Sequence, residues 1–470
     1  MSHTTSTPRR IGLPSVLPLL ATLVLAGCAT SASIDPARQV TTPAAYKEGA
    51  IADAIVASAP QVQGSWWSVF ADPVLDQLVE QAAQNNNNIQ VAIGRLAQAR
   101  AIARTTDAAR LPQIDLGAGA TRRKNSSTGN QPQSAISVGT NLAYEVDLLG
   151  KLSLDSSAAS LDAESREALL RSTQLLVQAD VTQTYFSLRA LDTERELVRD
   201  TLQAYRNTLR LTQVRFKEGD VAELDVARVQ TEVASTESEA LALDRRRAEI
   251  EHALAVLVGE VASSFSVIPT NWSTALPGIP AGVPSTLLVR RPDVSAAQTT
   301  MQAAQARVGV AKAAWFPSFS LTATGGYATP DISDLFMLST RAWGVGALLS
   351  LPIFDGGRRQ AGVQGASAEM DIALANYREQ VLIAFKDVED QLSALRLLDA
   401  QSEAQSRSIA SAKRATVLSD SRYRNGLVSQ LELLDAQRSE LRNRRQALQV
   451  KTAQYLVTVG LIRALGGGWA

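Results

Sequence analysis

Residues Ile136, Val138, Thr140, Leu142, Tyr144 and Val146 alternate with Ser137, Gly139, Asn141, Ala143, Glu145 and Asp147. Strict period two with one apolar face predicts a β-strand. The segment before it, Ile114, Leu116, Ala118 and Ala120, alternates in the same way, and the polar stretch Arg122 to Pro132 joins the two into a hairpin over about 113–147. A second hairpin is predicted over about 318–353, from Phe319, Leu321, Ala323 and Gly325, then Trp343, Val345, Ala347, Leu349, Leu351 and Ile353. Pro112 and Pro317 precede the two hairpins. Beyond them the period becomes helical. Lys151 to about Val214 reads as one helix on the order of 95 Å long, at 1.5 Å per residue. Its apolar positions, among them Leu175, Leu176, Tyr185, Phe186, Leu188, Leu191 and Leu202, recur at helical spacing among charged residues. Such a helix is too long for a globular core and must pack side by side with neighbours in a coiled-coil manner.

Glycine spacing reveals a duplication. Gly150, Gly219 and Gly259 map onto Gly357, Gly426 and Gly466 when 207 is added to each number. No proline occurs from Gln133 to Ile268, and none after Pro352. Gly and Pro are the strongest helix breakers, so each copy reads as a long helix, a break at its middle glycine and a return helix. Side chains follow the same offset: Asp180-Val181 matches Asp387-Val388, Leu188-Arg189 matches Leu395-Arg396, and Arg215-Phe216 matches Arg422-Tyr423. An internal repeat accounts for all of these together.

The organisation then follows. Residues 1–27 are set apart as a signal segment and 28–65, rich in Ala, Pro, Ser and Thr, as an extended tether. The first repeat occupies 66–262, with Asp72 as helix cap, Pro73 as first helical residue, a polar break at Asn85–Asn88, a helix from about Ile89 to Arg110, the hairpin, and a helical hairpin over about 151–258. A proline-marked connector covers 263–289. The second repeat occupies 290–470, with a helix from about Pro292 to Ala314, the hairpin at about 318–353 and a helical hairpin over about 358–465.

Composition narrows the function classes. Lys+Arg and Asp+Glu are both 46, and no basic run interleaved with aromatics points to nucleic acid. With His3, His252 and Cys28 the only His and Cys, the sequence speaks against a His/Cys metal site or a Cys-His catalytic pair once the N-terminal segment is removed. No nucleotide-binding glycine loop is present, and we expect neither enzymatic activity nor a cofactor. Arg9-Arg10, the apolar run Ile11–Ala26 and Leu25-Ala26-Gly27-Cys28 form a secretory signal. That ending resembles a bacterial lipobox, which implies a covalent lipid on Cys28.

Each predicted strand is about ten residues long, as a tilted membrane-spanning strand is. A soluble hairpin with one face in a core fits the same pattern. Four strands cannot close a barrel and open edges are not tolerated in lipid, so strands that span a membrane here require several chains in one barrel.

In order along the chain, Trp66-Trp67 through Phe70-Ala71-Asp72-Pro73, Asp147-Leu148-Leu149-Gly150-Lys151 and Leu287-Leu288-Val289-Arg290-Arg291-Pro292-Asp293 resemble the TolC-type outer-membrane efflux proteins, in their NodT/OprM-like lipoprotein branch. So do Gly309-Val310-Ala311-Lys312-Ala313-Ala314-Trp315-Phe316-Pro317, Pro352-Ile353-Phe354-Asp355-Gly356-Gly357-Arg358 and Leu433-Leu434-Asp435-Ala436-Gln437-Arg438. The resemblance implies a mostly α-helical homotrimer with a membrane β-barrel portion. Four strands per chain would make a shared 12-stranded barrel in the outer membrane, and coiled-coil hairpins a tunnel through the periplasm. It implies partners too: a periplasmic adaptor (membrane fusion) protein and an inner-membrane pump of the RND type, with small molecules leaving through a passive duct. A type I protein-secretion duct is the alternative, and a structural periplasmic coiled-coil lipoprotein a remoter one.

The resemblance also nominates site residues. Glu432 and Asp435, three apart on one helical face, match acidic positions of the narrowest ring, and Leu431 matches an apolar plug. Asp225, at the register of Glu432 (225 + 207 = 432), and Tyr423 match links that hold the entrance closed, while Val428 stands where the family has a basic partner. Arg215, Gly219, Arg422 and Gly426 match the tips offered to the adaptor. Arg290-Arg291-Pro292-Asp293 reads as a helix start.

Overall fold

The computed structural model describes residues 43–48, 64–124, 132–270, 272–279 and 290–467. Cys28, and with it the predicted lipidation, lies outside the described residues, as do most of the tether and residues 280–289 of the connector. After a short 3-10 turn at Trp66–Phe70, the elements run α1 (Pro73–Asn85), α2 (Asn87–Ala108), β1 (Gln113–Arg123), β2 (Gln133–Val146), α3 (Lys151–Lys217) and α4 (Glu223–Val258). The second copy supplies α5 (Pro292–Ala313), β3 (Ser318–Thr329), β4 (Arg341–Ser350), α6 (Arg358–Arg424) and α7 (Gln430–Ala464).

Asp72 caps α1 as expected, its carboxylate accepting from the Val74 and Leu75 amides, with Pro73 as the first helical residue. Three boundaries differ from the sequence pattern. The polar break narrows to Asn86 alone, because its side chain accepts from the Asn88 and Ile89 amides and restarts the helix at once. Strand β4 ends at Ser350, not Ile353, since Pro352 has no N–H to give the ladder. Helix α3 runs on to Lys217, past Val214, until the glycine turn stops it.

The offset glycines are the turns. All six have positive φ, from 70° at Gly426 to 92° at Gly466, a region that L side chains rarely adopt. The hydrogen bonds around them are duplicated as well. Asp220 N donates to Arg215 O and Gly219 N to Phe216 O; Leu427 N donates to Arg422 O and Gly426 N to Tyr423 O. The return helices stop alike, with Glu260 N donating to Ala255 O and Gly467 N to Ile462 O. These reversed bonds satisfy the last carbonyls of a helix whose chain turns left-handed.

Packing divides the chain into two compact units, each drawn from both copies. The repeats are therefore units of sequence, not of packing. In one unit, Ala99–Ala163 with Thr299–Ala375, the strands form a single antiparallel sheet in the order β1-β2-β3-β4. Its register places Ile114 beside Leu142, Leu142 beside Ala323, and Ala323 beside Val345. Every apolar position of the sequence pattern that lies within the four strands thereby falls on one face. The other face carries Asn141, Thr324 and Gly344 in one row and Gly139 and Gly326 in another. Gly326 meets β2 so closely that a Cβ there would collide with Val138 O and Gly139 Cα.

The second unit, Val40–Gln98 with Glu164–Gln298 and Asn376–Ala470, contains the main core. Phe70 and Tyr455 pack on Phe186 at 4.8 and 4.9 Å between ring centroids, and Trp272 lies 4.6 Å from Tyr455. Truncating a fully buried ring such as Phe186 costs about 3–5 kcal/mol. The connector is fastened to this core through its carbonyls: Arg247 donates to Val267 O at 2.6 Å, Arg189 to Ile268 O at 2.8 Å and Lys451 to Trp272 O at 3.3 Å.

Candidate functional site

All nominated gate and tip residues lie in the second unit, around the two helical turns. The Ser429 hydroxyl accepts from the Glu432 amide and starts α7, and Glu432 in the first turn favours the helix N-terminus. Leu433 and Leu434 point inward and are fully buried, whereas Leu431, Glu432 and Asp435 are exposed. The helical period therefore gathers Leu431 and both acids on one open face.

Their electrostatic surroundings differ. Glu432 Oε1 lies 3.5 Å from Arg422 Nη1 across the turn, with both side chains about half exposed, so the pair attracts only weakly. Asp225 is paired with Arg228 on its own helix at 3.7 Å. Tyr423 is buried at 2% exposure, its hydroxyl 3.5 Å from Thr212 Oγ1, and the Arg215 guanidinium lies 4.9 Å above its ring. Thr212 also lies 3.2 Å from Gln430 Oε1, while the buried Gln430 Nε2 has no partner among the described residues. Tyr423 and Arg215 thus join the first helix of one hairpin to the turn of the other. Asp225 is not in that contact within the chain.

Thr212 and Gln430 were not singled out from sequence, and neither was a row of ion pairs above them. Arg438 pairs with Glu232, its Nε donating to Oε2 at 3.0 Å. Arg445 pairs with both Glu239 and Glu194, with Nε to Glu194 Oε1 at 2.8 Å. Tyr205 lies fully buried against Val229 and Leu434. Burial pushes its hydroxyl up to about 12, the Glu232 charge adding to this against Arg438. The seven-residue steps Glu232–Glu239 and Arg438–Arg445 were the signal available, since one heptad returns to one helix face.

At the other end of the helical hairpins Arg291 is a buried hub. It donates to Asp293 Oδ2 at 2.7 Å, to Asp387 Oδ2 at 3.0 Å and to Ala464 O at 3.4 Å. Burial pushes the Asp293 carboxyl up, but the hydrogen bonds and charge of Arg291 outweigh it and hold it below the usual carboxylate range. The first copy makes the corresponding backbone contact with Asn86, whose amide donates to Leu257 O at 2.8 Å (257 + 207 = 464). Arg290-Arg291-Pro292-Asp293 is thus a helix start that also ties α5 to α6 and α7. Among the described residues no group of His, Cys, Asp and Glu could hold a metal ion.

Comparison with known proteins agrees with this geometry. Residues 78–260 and 283–467 match the outer membrane efflux protein family. The solvent efflux pump outer membrane protein SrpC of Pseudomonas putida is 33% identical over 97% of this chain and 98% of its own length. The cation efflux system protein CusC of Escherichia coli K12 is 30% identical, over 96% and 99% of the two chains. The solved outer-membrane channel OprN superposes with a TM-score of 0.87 at 30% identity, covering 93% of this chain and 99% of that one. This chain belongs to the outer membrane efflux protein family.

Proposed function

We propose that the protein is the outer-membrane exit duct of a tripartite efflux pump, working as a homotrimer. The sheet carries this reading. Its register gathers the apolar residues on one face, and Leu116, Trp343, Val345 and Leu349 on that face are 65–77% exposed in the single chain. Strands β1 and β4 each have one unpaired edge among the described residues. An exposed apolar face with two open edges calls for lipid on the face and further copies at the edges. Three copies joined edge to edge make the 12-stranded barrel of the family resemblance. The polar, glycine-rich face then lines a wet lumen.

Cargo would be small molecules or ions delivered by an inner-membrane pump of the RND type through a periplasmic adaptor engaging the tips around Gly219 and Gly426. Relatives named for solvent and for cation efflux both match nearly the whole chain, which supports a duct that leaves cargo choice to the pump. The chain itself would do no chemistry. A lipid on Cys28 would anchor each protomer, and loss of acyl mass in Cys28→Ser would check it. Detergent-extracted protein should run as a heat-dissociable trimer and conduct ions in planar bilayers; a monomer without conductance refutes the duct.

A further inference from the structure

We infer that the ion pairs between α4 and α7 set the point about which the gate-bearing start of α7 swings, and that Asp225 opposite Leu431 is a rung left out of that ladder so that the turn can move. The inference rests on the duct reading above. Glu232 meets Arg438 and Glu239 meets Arg445, and both pairs have the same difference in number: 438 − 232 = 206 and 445 − 239 = 206. A constant difference means that α4 and α7 run parallel and in register, and the step of seven returns to nearly the same face of each helix. One further step toward the turn gives 225 and 431, whose difference is again 206. Continued to this step, the register sets an acid across from a leucine. Asp225 turns to Arg228 on its own helix instead, and Leu431 is half exposed.

The holding forces change at the same place. At the Glu232–Arg438 rung a charged pair with Glu232 largely shielded from water is backed by buried Val229, Leu434 and Tyr205. The Glu232 hydrogen bond raises Arg438 further above its ordinary value. Toward the turn, Thr212 of α3 meets Gln430 of α7 at 3.2 Å and Tyr423 of α6 at 3.5 Å, both neutral contacts, and the Gln430 amide nitrogen has no partner among the described residues. Neutral, imperfectly satisfied contacts yield before a charged pair over an apolar seat. Leu431 and Glu432 lie on the yielding side and Arg438 on the fixed side, with Asp435 in the turn between them. Arg438 and Arg445 are thus positioning residues for the gate, acting through α7.

Leu431→Arg supplies the missing partner for Asp225, and planar-bilayer recording of the full-length trimer reads the effect. Open occupancy should fall about 3- to 150-fold, the range for one added exposed pair in each of three protomers. Leu431→Arg combined with Asp225→Asn should recover near wild-type occupancy. If the double variant stays as closed as the single one, the new charge acts by blocking the lumen and the inference is wrong. Arg438→Gln should raise open occupancy, and Glu232→Arg with Arg438→Glu should restore it; a trimer that assembles with unchanged occupancy in Arg438→Gln also overturns the inference. Wild-type trimers that never conduct would instead remove the duct reading, and the ladder's gating role with it.

Discussion

Replacing Arg291 by Met tests whether the start of α5 is held by charge or only by packing. Met keeps much of the length of the side chain and removes the guanidinium. The Arg291 side chain is 8% exposed, and the two carboxylates it joins are 26% and 30% exposed. Breaking a fully buried pair costs about 3–5 kcal/mol because one charge is left uncompensated. Partial exposure lets water reach Asp293 and Asp387, so we expect about 2–3 kcal/mol per protomer, between the buried and surface limits. Arg422→Met, at a pair with both members about half exposed, should cost no more than about 1 kcal/mol. The assay is unfolding of detergent-solubilised protein followed by helical circular dichroism and tryptophan fluorescence.

The acid limb gives a second, independent readout. The folded-state pKa of Asp293 is depressed, so its pairing stabilises above the unfolded value, near 3.9, and is lost as pH falls through the lower folded value. Wild type should lose this contribution below about pH 4, and Arg291→Met should show a flatter acid limb with a lower plateau at neutral pH. Equal costs for Arg291→Met and Arg422→Met, with unchanged acid limbs, would falsify the ionic account.

Three further outcomes follow from the same geometry. Gly326→Ala should abolish the heat-resistant trimer on gels, whereas Gly325→Ala, whose Cβ would meet only Thr140 Oγ1 at 3.9 Å, should assemble normally. Tyr185→Phe removes a hydroxyl that donates to Asp72 at 2.6 Å and accepts from Arg189 at 3.0 Å, and should lower thermal unfolding stability by about 1–3 kcal/mol. Asp435→Asn should relieve divalent-cation block of bilayer currents more than Glu432→Gln, because Glu432 already shares its charge with Arg422, and Arg422→Met should strengthen the block. Equal relief from the two acids would separate the block from that pair.

What the sequence could and could not reveal depends on the range of the forces involved. The turns were legible because positive φ at Gly219 and Gly426 is a local demand that glycine alone meets cheaply. The strands were legible because period two is written in consecutive residues, and the register then put the alternating apolar positions of all four strands on one face. The matched pair Asp180-Val181 and Asp387-Val388 was visible as a repeat, and both valines are fully buried. The different fates of the two acids were not visible. Asp387 receives Arg291 from 96 positions away, while burial pushes the Asp180 carboxyl up against a weaker opposing effect of Arg463. The two copies also diverge according to what covers them. Arg189 is buried beneath the connector and bonded to Ile268 O, whereas its counterpart Arg396 stays exposed and reaches Glu48 at 2.9 Å. Long-range partners of this kind leave no mark within a window of one copy. They become legible when the two copies are read against each other, since a residue kept in type but altered in burial marks where a single covering segment meets a duplicated frame. Between the copies, Glu232 meets Arg438 and Glu239 meets Arg445, whereas Asp225 turns to Arg228 on its own helix.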